Sequence, residues 1–140
     1  MPPRKLQRIL HIDDEPDILA VAAYAFKKIG GYTVRSANSG MQAVALAKEF
    51  LPDLILLDVM MPGMDGVQTF ASLRADPATA GILVVYLTAK VQTHEVQALK
   101  ETGVVAVLAK PFDPPKLCRD LEEVWARAVG ADDQASGSSM

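Results

Sequence analysis

Leu54-Ile55-Leu56-Leu57-Asp58, followed by Val59-Met60-Met61-Pro62-Gly63-Met64-Asp65-Gly66, is the stretch whose reading decides the fold. The continuous apolar run suits a strand covered on both faces, as in a parallel sheet. A carboxylate directly after four buried residues points to a site at the end of that strand. Pro62, Gly63 and Gly66 make the next segment a loop, and a short helix is predicted from about Val67 to Ala75, closed by Asp76-Pro77.

Outward from this stretch, short apolar runs alternate with segments of helical period. Leu6 to Ile12 reads as the first strand and ends in Asp13, Asp14 and Glu15. From Asp14 the pattern turns helical, with Leu19, Ala22, Ala23, Phe26 and Ile29 recurring at three- and four-residue spacing. Gly30-Gly31 stops that helix, and Tyr32 to Ala37 reads as the second strand. Ser39 followed by Gln42 is a capping-box pattern, opening a helix with Ala43, Leu46, Ala47 and Phe50 on its buried stripe. Downstream, Ile82 to Leu87 is the fourth strand. Thr93 caps a helix running to about Thr102, and Val104 to Leu108 is the fifth strand. Asp113-Pro114 starts the last helix, whose apolar face is Leu117, Leu121, Val124, Trp125 and Ala128. Five βα units in a row predict an α/β fold, a parallel sheet with helices on both faces.

The chain has 140 residues, which at about 150 residues per domain allows one domain. We expect it to occupy residues 1–128, with 129–140 a disordered tail or the start of a linker, because Gly130 to Met140 is rich in Ser, Gly, Ala and Asp without apolar period. Half the residues are apolar and the net charge is −3, which argues against nucleic-acid binding through bulk electrostatics. The single cysteine, Cys118, excludes an internal disulfide and fits a reducing compartment. No apolar run approaches the roughly 18 residues of a membrane span. The basic start, MPPRKLQR, leads into too short an apolar run for a signal peptide. The expectation is a soluble, cytoplasmic protein without membrane contact.

In an open parallel sheet, ligands bind outside the carboxyl ends of the strands. Those ends carry Asp13-Asp14, Asp58, Thr88 and, after the fifth strand, Lys110-Pro111; the second ends in Asn38-Ser39. Three converging carboxylates repel unless a hard cation such as Mg²⁺ joins them, and that metal takes oxygen ligands. Together with Lys110 it would form a site that welcomes a phosphoryl group, with the Thr88 hydroxyl as donor. Neither GxxxxGKS/T nor GxGxxG occurs, so no nucleotide cradle is expected.

The set Asp-Asp, Asp-x-x-Met-Pro-Gly-Met-Asp-Gly, Thr-Ala and Lys-Pro-Phe, in this order and with strand-sized spacings, resembles the CheY-like receiver domain of two-component response regulators over about Leu6 to Ala128. The resemblance implies a flavodoxin-like, doubly wound five-stranded parallel sheet of order 2-1-3-4-5 with five helices. It implies that Asp58 accepts a phosphoryl group from a histidine kinase or phosphotransfer domain. Asp13 and Asp14 would belong to the Mg²⁺ site, Asp14 bound directly and Asp13 through water, with Asp58 and the backbone carbonyl of Met60. Thr88 would be the switch hydroxyl. Lys110 would pair with the phosphate or, before phosphorylation, with Asp58, and the Lys110-Pro111 bond would be cis. Many receivers carry Tyr or Phe three residues before the lysine. Here that position is Val107, so the switch is expected to rest on Thr88 and the loop from Ala89 to Thr93.

Each residue also has a plainer reading. Asp14 alone would be a helix cap, Asp58 a loop opener, Thr88 a strand-end hydroxyl and Lys110 a solvated charge. His11 and His94 have no ligand partners at metal spacing and read as structural or surface groups. Cys118 reads as an inert thiol, and Met60, Met61 and Met64 as loop packing. An enzyme of the haloacid-dehalogenase type also uses Asp, Mg²⁺, Thr and Lys, but needs a second Asp two residues after the nucleophile, where this chain has Met60. The expectation is a signalling module, not an enzyme beyond assisting its own phosphorylation and dephosphorylation. No DNA-binding helix pair follows Ala128, so the chain is also readable as the receiver piece of a longer regulator, with output in an unknown downstream protein or missing sequence. A phosphorylation-dependent dimer stays open.

Overall fold

The computed structural model describes residues 4–89 and 92–138, with side chains described through residue 130. Along the chain run β1 (Arg8–Ile12), α1 (Pro16–Lys28), β2 (Thr33–Ala37), α2 (Gly40–Phe50), β3 (Leu54–Asp58), α3 (Gly66–Ala75), β4 (Leu83–Thr88), α4 (Thr93–Lys100), β5 (Ala106–Ala109) and α5 (Pro114–Ser138). The strands form one parallel sheet of order β2-β1-β3-β4-β5.

Alternation along the strands divides the core in two. Ile9, Leu54, Leu56, Val85 and Leu87 pack with Ala22, Ala25 and Phe26 of α1 and with Leu117, Leu121 and Trp125 of α5. Leu10, Ile12, Ile55, Leu57, Val84 and Tyr86 pack with Ala43, Ala47 and Phe50 of α2 and with Phe70 and Leu73 of α3. All five residues of β3 are buried, which explains its lack of polar alternation. Each such Leu or Ile contributes roughly 1.5–3 kcal/mol on leaving water.

Several element ends differ from the sequence expectation. Leu6 is buried but precedes the ladder, so β1 begins at Arg8. The N-cap of α1 is Glu15, not Asp14, and it makes no side-chain capping bond; Pro16 occupies the first turn instead. Thr93 is the first residue of α4 rather than its cap, which is Gln92, again without a side-chain bond. At α2, Ser39 Oγ accepts from the Gln42 amide at 3.2 Å, but the Gln42 side chain accepts from Asn38 N at 2.8 Å rather than from the cap itself. The complete capping box lies at α3, where Asp65 and Gln68 satisfy each other's amides at 2.8 and 2.9 Å. Helix α5 continues to Ser138, into the stretch expected as a tail. That stretch has no proline, and extending an existing helix adds one hydrogen bond per residue fixed.

The strand order reverses beside β1, so α1 and α3 leave the adjacent strands β1 and β3 toward opposite faces. A crevice opens between their carboxyl ends. Gly66 keeps the far wall close: a Cβ there would lie 2.4 Å from the Asp58 carbonyl oxygen and 2.7 Å from Val59 Cα. The Gly66 amide donates to Val59 O at 2.9 Å, pinning the start of α3 against the end of β3.

Candidate functional site

Asp58 is the last residue of β3 and pairs in register with Leu87, one position before Thr88. Asp13 immediately follows β1, and its amide donates to Ala37 O at 3.1 Å. Lys110 immediately follows β5, and its amide donates to Thr88 O at 2.9 Å. Its bond to Pro111 is cis. The sheet ladder therefore brings Asp13, Asp14, Asp58, Thr88 and Lys110 to one end of the molecule.

Asp13, Asp58 and Thr88 are buried, and Asp14 is half-buried. Carboxylate oxygens of Asp13, Asp14 and Asp58 all lie within 4.8 Å of one another. The Lys110 ammonium sits 2.7 Å from Asp13 Oδ2 and 3.3 Å from Asp58 Oδ1. Asp58 Oδ1 also accepts from the Met60 amide at 3.3 Å, and Asp13 Oδ1 from the Glu15 amide at 2.9 Å. Met60 itself is exposed, whereas Met61 is buried in the core.

Burial, and after it the neighbouring Asp13 charge, raise the Asp58 carboxyl to about 6, against the pull of Lys110 and the Met60 amide. Burial opposes the charge on Lys110, but the Asp13 and Asp58 carboxylates outweigh it and hold the ammonium above its ordinary value. One cation facing three carboxylates leaves excess negative charge. The donor set consists entirely of hard oxygens, and Asp13 Oδ2, though paired ionically with Lys110, is buried without a well-aligned hydrogen bond. Both features fit a divalent cation of the Mg²⁺ type.

One feature escaped the sequence reading. Glu15 Oε1 lies 3.8 Å from the Lys110 ammonium, adding a fourth, exposed carboxylate at the rim; its place beside the acidic pair was the available signal. His11 is wholly buried, with neither ring nitrogen hydrogen-bonded, and meets Phe26 edge to face at 6.2 Å. Burial lowers it to about 4, so it is a neutral core residue. His94 is exposed. Cys118 is buried against Ala25 O at 3.7 Å, and burial pushes its thiol up, consistent with an inert group. Val107 is half-buried opposite Tyr86. Of the expected switch loop, Lys90 and Val91 lie outside the described residues. No helix among the described residues is long and apolar enough to cross a membrane.

Comparison with known proteins agrees with this geometry. The family model for the response regulator receiver domain matches residues 9–122. The DNA-binding response regulator MtrA of Mycolicibacterium smegmatis is 38% identical over 111 residues, covering 79% of this chain and 47% of that protein. The phosphate regulon transcriptional regulatory protein PhoB of Pseudomonas aeruginosa is 37% identical over 128 residues, covering 91% of this chain and 55% of its own length. The chain thus spans about half the length of the curated relatives it matches. Among solved structures, the chemotaxis response regulator CheY4 of Vibrio cholerae superposes with a TM-score of 0.79 at 28% identity, covering 86% of this chain and 99% of that one.

Proposed function

This chain belongs to the response regulator receiver domain family, and from that premise we propose that Asp58 accepts a phosphoryl group from a phosphohistidine on a histidine kinase or phosphotransfer domain. The observation that carries this reading is Asp58 itself: buried at a strand end, 3.3 Å from an ammonium and grouped with two further carboxylates.

In the transfer, an Asp58 carboxylate oxygen attacks phosphorus while the bond from phosphorus to the imidazole nitrogen breaks, the electron pair returning to the ring. Lys110, already poised between Asp13 and Asp58, offsets the charge on the phosphoryl oxygens. Asp13, Asp14, Asp58 and the Met60 carbonyl would hold Mg²⁺, which when bound supplies further positive charge beside the transferring group. The Thr88 hydroxyl donates to a phosphoryl oxygen. The phosphoryl group carries about −1.5 to −2 charge in place of the carboxylate's single one, and Thr88 with the loop behind it moves toward its oxygens, shifting the population of the α4, β5 and α5 surface.

The domain assists its own phosphorylation and hydrolysis and turns over no separate substrate. It works in the cytoplasm, with residues 1–128 as the receiver and 129–140 as a tail or the start of a linker. Output passes to a downstream protein or to sequence outside this chain, without nucleic-acid contact by the receiver.

Incubation with acetyl phosphate and Mg²⁺ should add one phosphoryl group, located at Asp58 by mass spectrometry, and Asp58→Asn should abolish it. Undiminished labelling of that variant would place the acceptor elsewhere.

A further inference from the structure

Helix α4 differs from the other helices in how little holds it. None of its residues is buried, and its N-cap, Gln92, makes no side-chain capping bond. Tertiary burial supplies most of a short helix's stability, and here it is limited to half-buried side chains such as Leu99 against the core, so the eight residues are marginal alone. Its C-terminal end has a specific polar tie. The Tyr86 hydroxyl lies 3.0 Å from Thr102 Oγ1, and Thr102 Oγ1 donates to Leu99 O at 2.8 Å. A threonine hydroxyl has one proton, committed here to Leu99, so Tyr86 is the donor to Thr102. The result is a two-bond relay from the middle of the sheet to Leu99 O in the last turn of α4, a carbonyl that also accepts from the Thr102 amide at 3.1 Å.

The sheet end of this relay is rigid. Tyr86 is wholly buried on β4, and its ring meets Phe70 of α3 edge to face at 6.0 Å. The far side is braced as well: Arg74 stacks over Phe70 at 4.8 Å and donates to Gly103 O at 3.2 Å, in the turn just past Thr102. Tyr86 also stands two residues before Thr88 on the same strand.

We propose that Tyr86 is a positioning residue that pins the C-terminal end of α4 through Thr102, making that end a fixed pivot for the helix that follows Thr88. The pivot belongs to the resting protein, so its test does not depend on phosphoryl transfer to Asp58.

The experiment is amide hydrogen exchange on the unphosphorylated chain, comparing wild type with Tyr86→Phe, Thr102→Val and the double variant. Tyr86→Phe keeps the buried ring and leaves Thr102 bonded to Leu99. Exchange at residues 96–103 should rise about three- to tenfold in each single variant, the range that a hydrogen bond of ordinary net strength commands. The double variant should exchange no faster than the faster single one. Amides of β1, β3 and β4 should be unchanged. Unchanged exchange at 96–103 in Tyr86→Phe overturns the proposal. So does a rise shared equally with the strands, which would mean that the phenol only supports the core.

Discussion

Asp58 and His11 are both buried titratable groups, but they tilt stability in opposite directions. Asp58 is raised from 3.8 to about 6, so between those values the folded chain holds a proton that the unfolded chain has released. Its contribution is favourable below about pH 4 and is lost as pH rises through 6. At pH 7.5, without Mg²⁺, Asp58→Asn should therefore stabilise the protein by on the order of 2 kcal/mol, since tenfold in proton affinity is worth about 1.4 kcal/mol. His11 is lowered from 6.5 to about 4, so its contribution is full above pH 6.5 and is lost as pH falls toward 4. On acidification from pH 6 to 4 the wild type gains from one and loses from the other. In Asp58→Asn only the loss remains, so the variant's advantage should shrink by pH 4.5. Urea unfolding at both pH values measures it, and an equal advantage at each would show that Asp58 is not raised. Asp14 gives a separate test. Because Glu15 and not Asp14 caps α1, Asp14→Ala should weaken Mg²⁺ binding and phosphorylation without lowering apo stability. Removing one of three crowded carboxylates relieves repulsion. A marked drop in melting temperature in EDTA would mean that the carboxylate supports the helix start after all.

At the scale of elements, the strands were legible because a sheet covered on both faces forces continuous apolar runs, and β3 shows this at every residue. Helix ends were less legible, because the capping pattern around Ser39 is shared with Asn38 and the one around Asp65 lies inside a glycine-rich turn. The site's five groups could be read as strand ends. The reach of Lys110 to Glu15 could not, since it depends on side-chain geometry across the sheet. His11 carried a readable signal: a histidine in a strand with both faces covered has no solvent to face. The same logic applies to Val107. A β-branched side chain is nearly fixed at χ1, and it sits beside Tyr86, whose hydroxyl is already committed to Thr102. Phosphoryl mimicry by beryllofluoride should therefore alter the segment from Ala89 to Thr93 more than β5 around Val107. Structures with and without the mimic decide, and a rearrangement centred on β5 with that segment unmoved would contradict it.

The whole molecule is closed at the end opposite the site by the start of the chain. Asp53, just before β3, accepts from the amides of Gln7 and Arg8 at 3.0 and 2.9 Å, so one carboxylate fixes the entry of β1 against that of β3. Arg4 extends the strap: it pairs with Asp53 at 2.9 Å and stacks over Trp125 at 5.0 Å, and Trp125 Nε1 donates to Arg4 O at 2.7 Å. These contacts tie α5 to the first strand across the bottom of the sheet, and they differ in weight. The Arg4 side chain is 70% exposed, so water and salt screen its ion pair, and the pair is worth no more than about 1 kcal/mol. The Asp53 side chain is only 10% exposed, and losing it takes a charged acceptor from two backbone donors. Asp53→Ala should cost about 1–3 kcal/mol and Arg4→Ala less than about 1. Both should appear as a lower urea midpoint with an unchanged slope if the domain unfolds as one unit. Added salt should narrow the deficit of Arg4→Ala and leave most of that of Asp53→Ala, because only the former is a screened charge pair. The reverse ranking would mean that the guanidinium over Trp125, rather than the Asp53 carboxylate, holds the first strand to the last helix.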